Sequence, residues 1–171
     1  MDENILRKVQ EELAGKDKRR VLFVCLGNIC RSPAAEGVLR SIVHDQGAED
    51  KWLIDSAGTG GWHIGELPDR RMRVHASQRG IELDHRTRQV RPSDFDDFDL
   101  IIGMDSNNVH NLRQMAPSLE AARKIVPMAA FIDDSMHFDH VPDPYYEGAE
   151  GFELVLDLLQ NGCQNLYDTL A

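Results

Sequence analysis

The chain has 171 residues, 42% hydrophobic and 28% charged, the balance of one globular domain with a real core. A net charge of −10 argues against general binding to a nucleic-acid phosphate backbone. Three cysteines, an odd number, argue against a disulfide framework and fit a reducing compartment, so the chain reads as cytoplasmic.

In chain order, the first twenty residues read as a separate segment. Ile5, Leu6, Val9 and Leu13 recur at helical spacing and Gly15 offers a stop, so residues 1–19 form an extension, helical if ordered, ahead of a domain over 20–171. Lys16–Arg20 followed by Val21–Leu26 imitates a signal peptide, but Gly27 and Asn28 break the apolar run too early. No apolar run reaches the ~18 residues of a membrane span, so no membrane insertion is expected.

Arg20–Cys25 reads as a buried strand. Ser32 is placed to cap a helix with Pro33 in its first position, and Gly47 ends it. Trp52–Ser56 is a second strand, followed by a glycine-rich loop, Ala57–Gly65. Pro68–Arg79 is a helix closed by Gly80. Asp99–Ile102 is a third strand. Asp105 caps a helix through about Met115, and Pro117 opens another that ends near Lys124. Ile125–Phe131 contains a fourth strand. After a polar loop through Tyr146, a last helix presents Phe152, Leu156, Leu159, Cys163, Leu166 and Leu170 on one face.

Strands alternating with helices predict an α/β fold, a single domain whose parallel sheet is covered on both faces. Ligands then bind beyond the carboxyl ends of the strands. The first strand ends at Cys25, so Cys25-Leu26-Gly27-Asn28-Ile29-Cys30-Arg31-Ser32-Pro33 lies in that crevice.

Five residues separate Cys25 from Arg31. A loop of that length curls its N–H groups toward one point, and the next helix aims its N-terminus there. Gly27 and Asn28 tolerate the left-handed backbone that such a curl requires. Arg31 adds a planar fork for two phosphate oxygens. A helix N-terminus and a cation favour thiolate over thiol, and a Ser32 hydroxyl bond to the sulfur would help. Cys25 is then a nucleophile for a phosphate monoester. The leaving oxygen still needs a proton. Asp143, between Pro142 and Pro144 and followed by Tyr145 and Tyr146, is the candidate donor. No metal or other cofactor is needed.

Val21–Pro33 resembles the signature of the low-molecular-weight protein tyrosine phosphatases, and so does Asp143-Pro144-Tyr145-Tyr146. Further resemblances lie at Asp55–Thr59, Trp62–Gly65, His85–Val90 and Met104–Asn108, and the likeness runs from about Arg20 to Ala171. It implies a four-stranded parallel sheet and hydrolysis of phosphotyrosine in protein substrates through a phosphocysteine intermediate. It carries the nucleophile onto Cys25, the clamp onto Arg31 and the acid onto Asp143, with Leu26, Gly27, Asn28, Ile29, Cys30, Arg31 and Ser32 around the phosphate. It implies that Asn28, Ser32 and His85 support the loop, and that Ile29, Trp62, Tyr145 and Tyr146 wall an aromatic ring. It further suggests a reversible disulfide between Cys25 and Cys30. Thr87 stands where the family usually carries a small residue, and the N-terminal extension has no family counterpart.

Simpler readings exist for several of these residues. Trp62 and the tyrosine pair could anchor the core, Asp143 could be a turn residue, and Cys163 reads as core. His137 and His140 read as surface loop. The seven arginines from Arg70 to Arg91 are either a solvated face or a field that draws a phosphorylated substrate to an acidic protein. Three rival functions use the same loop. Arsenate reduction lacks its two further cysteines. A phosphocysteine carrier has no use for Asp143. An arginine phosphatase would carry threonine in place of Ile29.

Overall fold

A computed structural model describes residues 1–171. The elements are α1 (Glu3–Leu13), β1 (Arg19–Cys25), α2 (Arg31–Asp45), β2 (Trp52–Gly58), α3 (Arg70–Gln78), α4 (Asp94–Asp97), β3 (Leu100–Gly103), α5 (Ser106–Met115), α6 (Leu119–Ala122), β4 (Ile125–Pro127) and α7 (Ala149–Leu170). The four strands pair in parallel in the order β2-β1-β3-β4. The chain leaves central β1 toward β2 on one side and later fills β3 on the other. The carboxyl end of β1 therefore opens at the switch point where α/β sheets bind ligands.

The two-residue period of the strands feeds a core on each face. Val21, Phe23 and Cys25 of β1 join the larger cluster, with Leu100 and Ile102 of β3 and Val126 of β4. Leu22 and Val24 join the smaller one, with Ala57, Ile101 and Ile125. Helices α1, α2, α3 and α7 cover the larger core, while α4, α5 and α6 cover the smaller. The α7 face expected from spacing is buried, and Cys163 lies in the core with its Sγ 3.7 Å from the Ala35 carbonyl. In α1, Asp2 accepts hydrogen bonds from the N–H groups of Asn4 and Ile5, and Leu6, Val9 and Leu13 are buried in the larger core. Gly15 sits at φ 80°, which ends the segment as expected. No helix is long and apolar enough to cross a membrane.

Several boundaries differ from the sequence reading, each for a local reason. Ser32 does not cap α2. Cys30 holds the N-cap position and the helix begins at Arg31, with Pro33 third rather than first. The helix predicted from Pro68 begins at Arg70, because the Asp69 carboxylate accepts the N–H groups of Arg71 and Met72 and so becomes the N-cap. Strand β2 runs on to Gly58, held by its partner Cys25. The helix expected from Pro117 starts after Ser118, whose hydroxyl accepts the Ala121 N–H. The fourth strand is only Ile125–Pro127, and Met128–Phe131 turns into a 3-10 helix. Between Arg86 and Phe98, where no element was expected, Gly58 and Gln89 bridge in parallel and α4 follows.

Candidate active site

The loop between β1 and α2 makes the site. Asn28 adopts φ 58°, the left-handed turn expected of it. Unlike α1, α3, α5 and α6, helix α2 has no side-chain cap. None of the N–H groups of Leu26, Gly27, Asn28, Ile29 and Cys30 donates to another backbone group of the chain. A buried helix end without internal partners is a site built for an anion.

Polar bonds fix the loop. The Asn28 amide Nδ2 donates to Ser32 Oγ at 2.8 Å and to Ser56 Oγ at 3.0 Å. Its Oδ1 accepts from the Arg88 N–H at 3.0 Å and faces His85 Nε2 at 2.9 Å. His85 Nε2 therefore carries the hydrogen. Ser32 Oγ, accepting from Asn28, has two partners for its own proton, the Ala57 carbonyl at 3.4 Å and Cys25 Sγ at 3.0 Å. Ser56 donates to Glu36 Oε1 at 2.7 Å. His85, Asn28 and Ser32 thus form one chain of polar contacts that reaches the sulfur.

Arg31 is 3% exposed and its fork is held in place. Nη1 donates to Asp105 Oδ2 at 2.6 Å and to the Val141 carbonyl at 3.1 Å, while Nη2 lies 3.6 Å from Asp143 Oδ2. Burial works against the charge, but Cys25, the bond to Asp105 and the Asp105 and Asp143 carboxylates outweigh it and push the guanidinium further up. Burial, with Asp69, Cys25 and Asp143 nearby, also pushes the Cys30 thiol up, so it stays protonated. None of the three cysteines is in a disulfide.

A cavity of about 250 Å³ gathers the predicted residues: Cys25, Leu26, Gly27, Ile29, Cys30, Arg31, Trp62, Asp143, Tyr145 and Tyr146 line it, with His63 added. Asn28, Ser32 and His85 lie behind that lining. Trp62 and Tyr146 are 70% and 91% exposed, so neither is a core anchor. The two tyrosines meet edge to face at 5.0 Å, and Arg71 lies over Tyr145 at 5.3 Å and over Phe152 at 4.8 Å. His137 and His140 are exposed loop residues.

Sequence reasoning missed several participants. Asp105 was expected as a helix cap, and its Oδ1 does accept the Asn108 N–H at 2.8 Å; its other oxygen holds Arg31. Glu36, 97% buried inside α2 (relative exposure 3%), was not singled out. Its Oε1 lies 3.2 Å from His85 Nδ1 and its Oε2 lies 3.2 Å from Arg40. An acid on an otherwise buried helix face was the available signal. The basic stretch is divided: Arg70, Arg71, Arg86 and Arg91 are exposed, and three of the seven arginines make close ion pairs. Arg71 pairs with Asp69, Arg79 with Glu153 and Asp157, and Arg88 with Asp55 and Asp94.

The sequence model of the family described as low molecular weight phosphotyrosine protein phosphatase matches residues 20–171. A putative low molecular weight protein-tyrosine-phosphatase of Synechocystis sp. is 44% identical over 152 residues, 89% of this chain and 96% of that protein. The crystal structure of YfkJ from Bacillus subtilis is similar with a TM-score of 0.82 at 42% identity, covering 91% of this chain and 96% of its own. A protein tyrosine phosphatase from Entamoeba histolytica, with Hepes in the active site, gives a TM-score of 0.85 at 42% identity over 88% and 96%. A Drosophila arginine phosphatase gives 0.79 at 33% identity over 86% and 95%. With the loop, the sheet and the match over 20–171 taken together, this chain belongs to the low molecular weight phosphotyrosine protein phosphatase family.

Proposed function

We propose that the chain hydrolyses phosphotyrosine in protein substrates with Cys25 as nucleophile, Arg31 as phosphate clamp and Asp143 as general acid. The observation that carries these roles is the convergence of Cys25, Arg31 and Asp143 on one cavity with aromatic side chains at its mouth. The phosphoryl group sits among the N–H groups of Leu26–Cys30 and the Arg31 fork. The Cys25 thiolate attacks phosphorus in line with the ester oxygen. The P–O bond breaks, and Asp143 gives its proton to the departing phenolate. Water then attacks phosphocysteine, Asp143 takes up its proton, and the Cys25 thiolate leaves with phosphate as product. Ser32 steadies that thiolate through its hydroxyl.

Ile29, Trp62, Tyr145 and Tyr146 wall the path to the sulfur and suit a flat aromatic ring. The same fold serves an arginine phosphatase in Drosophila. Ile29, in place of threonine, and the tyrosine pair favour phosphotyrosine here. No cofactor enters this chemistry. The net charge of −10 gives no basis for a nucleic-acid partner. We assign the catalysis to residues 20–171 and the work to the cytoplasm, where thiols stay reduced.

The test is turnover of phosphotyrosine, phosphoserine and phosphoarginine peptides by the parent and Cys25→Ser. The expected result is turnover of phosphotyrosine alone by the parent, and none by the variant. Cys25→Ser should still bind vanadate, since the N–H cradle and Arg31 remain. Parent-level turnover by Cys25→Ser would overturn the assignment.

A further inference from the structure

Beside the phosphate cavity lies a second groove of about 400 Å³ that shares Leu26 and Trp62 with it. Its far wall is the last turn of α5, through Asn111, Gln114 and Met115, and Thr59 and Gly60 complete it. No charged side chain lines it, although 28% of the chain is charged. Nine large hydrophobic side chains are exposed, and five of them, Leu26, Trp62, Met115, Tyr145 and Tyr146, line one or other of these two hollows. Exposed apolar side chains gathered in one place mark a binding surface. The dividing wall is also built: a Cβ on Gly60 would run into the Trp62 ring, so Gly60 is what lets the indole lie where it separates the two hollows.

We propose that this groove is a specificity subsite, which takes an uncharged apolar side chain one or two positions from the phosphotyrosine of the substrate. The proposal rests on the phosphotyrosine reading above. An aromatic ring in the phosphate cavity lies against one face of the Trp62 partition. An extended peptide advances about 3.3 Å per residue, so its next side chains reach past the partition toward Met115. Leu26 and Met115 give that side chain apolar contact, and the Asn111 and Gln114 amides suit the peptide groups that carry it. A Lys, Arg, Asp or Glu at that position would lose hydration and find no opposite charge.

The experiment compares peptides with Leu, Lys or Glu at each of the two positions on either side of phosphotyrosine, with a small aryl phosphate as control. The enzymes are the parent and Met115→Glu, a change on the exposed end of a helix. At one flanking position the parent should prefer Leu over Lys and Glu by about tenfold in kcat/KM, the low end of what even one methylene contributes in a hydrophobic pocket. In Met115→Glu that preference should vanish and Lys should become the best residue, while turnover of the aryl phosphate is unchanged. Loss of structure alone would lower the aryl phosphate as well and could not favour Lys. If Met115→Glu leaves every flanking preference as in the parent while aryl phosphate is turned over, the subsite is wrong and the catalytic reading stands. If the parent hydrolyses neither peptide nor aryl phosphate, both fall.

Discussion

Asp143 Oδ1 accepts the Tyr145 N–H at 3.1 Å, so the loop sets the direction of the carboxyl group that its two prolines stiffen. Its other oxygen stays near Arg31 at the mouth of the cavity. Asp105, a second carboxylate beside Arg31 at this edge of the sheet, has one oxygen on the Asn108 N–H and the other on Arg31. It is placed to hold the clamp rather than to give a proton to substrate. Asp143→Asn should therefore lose about 10²–10⁴ in the burst rate of phenol release from phosphotyrosine. A strongly electron-withdrawn phenol needs little protonation and should lose far less. Burst rates across a series of phenols check this. An equal loss for every phenol would make Asp143 a positioning residue.

At the scale of elements, α2 shares the lack of a side-chain cap with α4 and α7, and is set apart by the unpaired N–H groups of Leu26–Cys30 ahead of it. Asp2, Asp69, Asp105 and Ser118 cap their own helices, whereas α2 presents uncapped donors at the switch point of the sheet. Helix α1 lies outside the matched residues yet belongs to the same core. The Asp2 N–H donates to the Ala130 carbonyl at 2.9 Å, and Leu6, Val9 and Leu13 pack into the larger cluster. None of its residues lines the phosphate cavity. Truncating a buried leucine leaves a cavity, so Leu13→Ala should cost about 2–4 kcal/mol in urea unfolding. Its kcat and KM, measured well below the new transition, should match the parent. A parent-like urea midpoint would mean that α1 is not packed on the core.

Across the whole molecule, a buried charge network ties the site to pH. Burial pushes the Glu36 carboxyl up from 4.5 to about 7, against the pull of Arg40 and Ser56. Burial also pushes His85 down, against Asp55, with Arg88 and Arg40 adding to the shift. In the fold Glu36 keeps a proton that the unfolded chain has already lost. Its stabilising contribution is complete below about 4.5 and is lost as pH rises through about 7. His85 acts with the opposite sign, because the folded chain favours its neutral ring. The Glu36 component is isolated by Glu36→Gln, which can still accept from Ser56. Relative to the parent, the variant should gain about 1–3 kcal/mol between pH 4.5 and 7. Urea unfolding of both proteins across that range checks it. A constant difference between them would show that Glu36 does not titrate there.

Those shifts come from contacts that no local pattern announces. The spacing of Cys25 and Arg31 was readable because the loop between them is local, whereas the start of α2 was misplaced by two residues, at Ser32–Pro33 instead of Cys30–Arg31. Strand and helix alternation was readable for the same reason, since periods of two and 3.6 report which face is buried. Boundaries slipped where a side chain chose the cap, as at Asp69 and Ser118. The pairing of Arg31 with Asp105 was not readable, because 74 positions separate them and β1 and β3 must first lie side by side. Glu36, Ser56 and His85 meet behind Asn28 only because β1 and β2 pair with Phe23 opposite Ser56. The groove beside Trp62 needs α5 to end next to the β2 loop. Local periodicity and spacing are written along the chain, so the fold class and the loop that carries the proposed nucleophile and clamp could be read there. Neighbours across strands are set by register and packing, which exist only once the chain has folded.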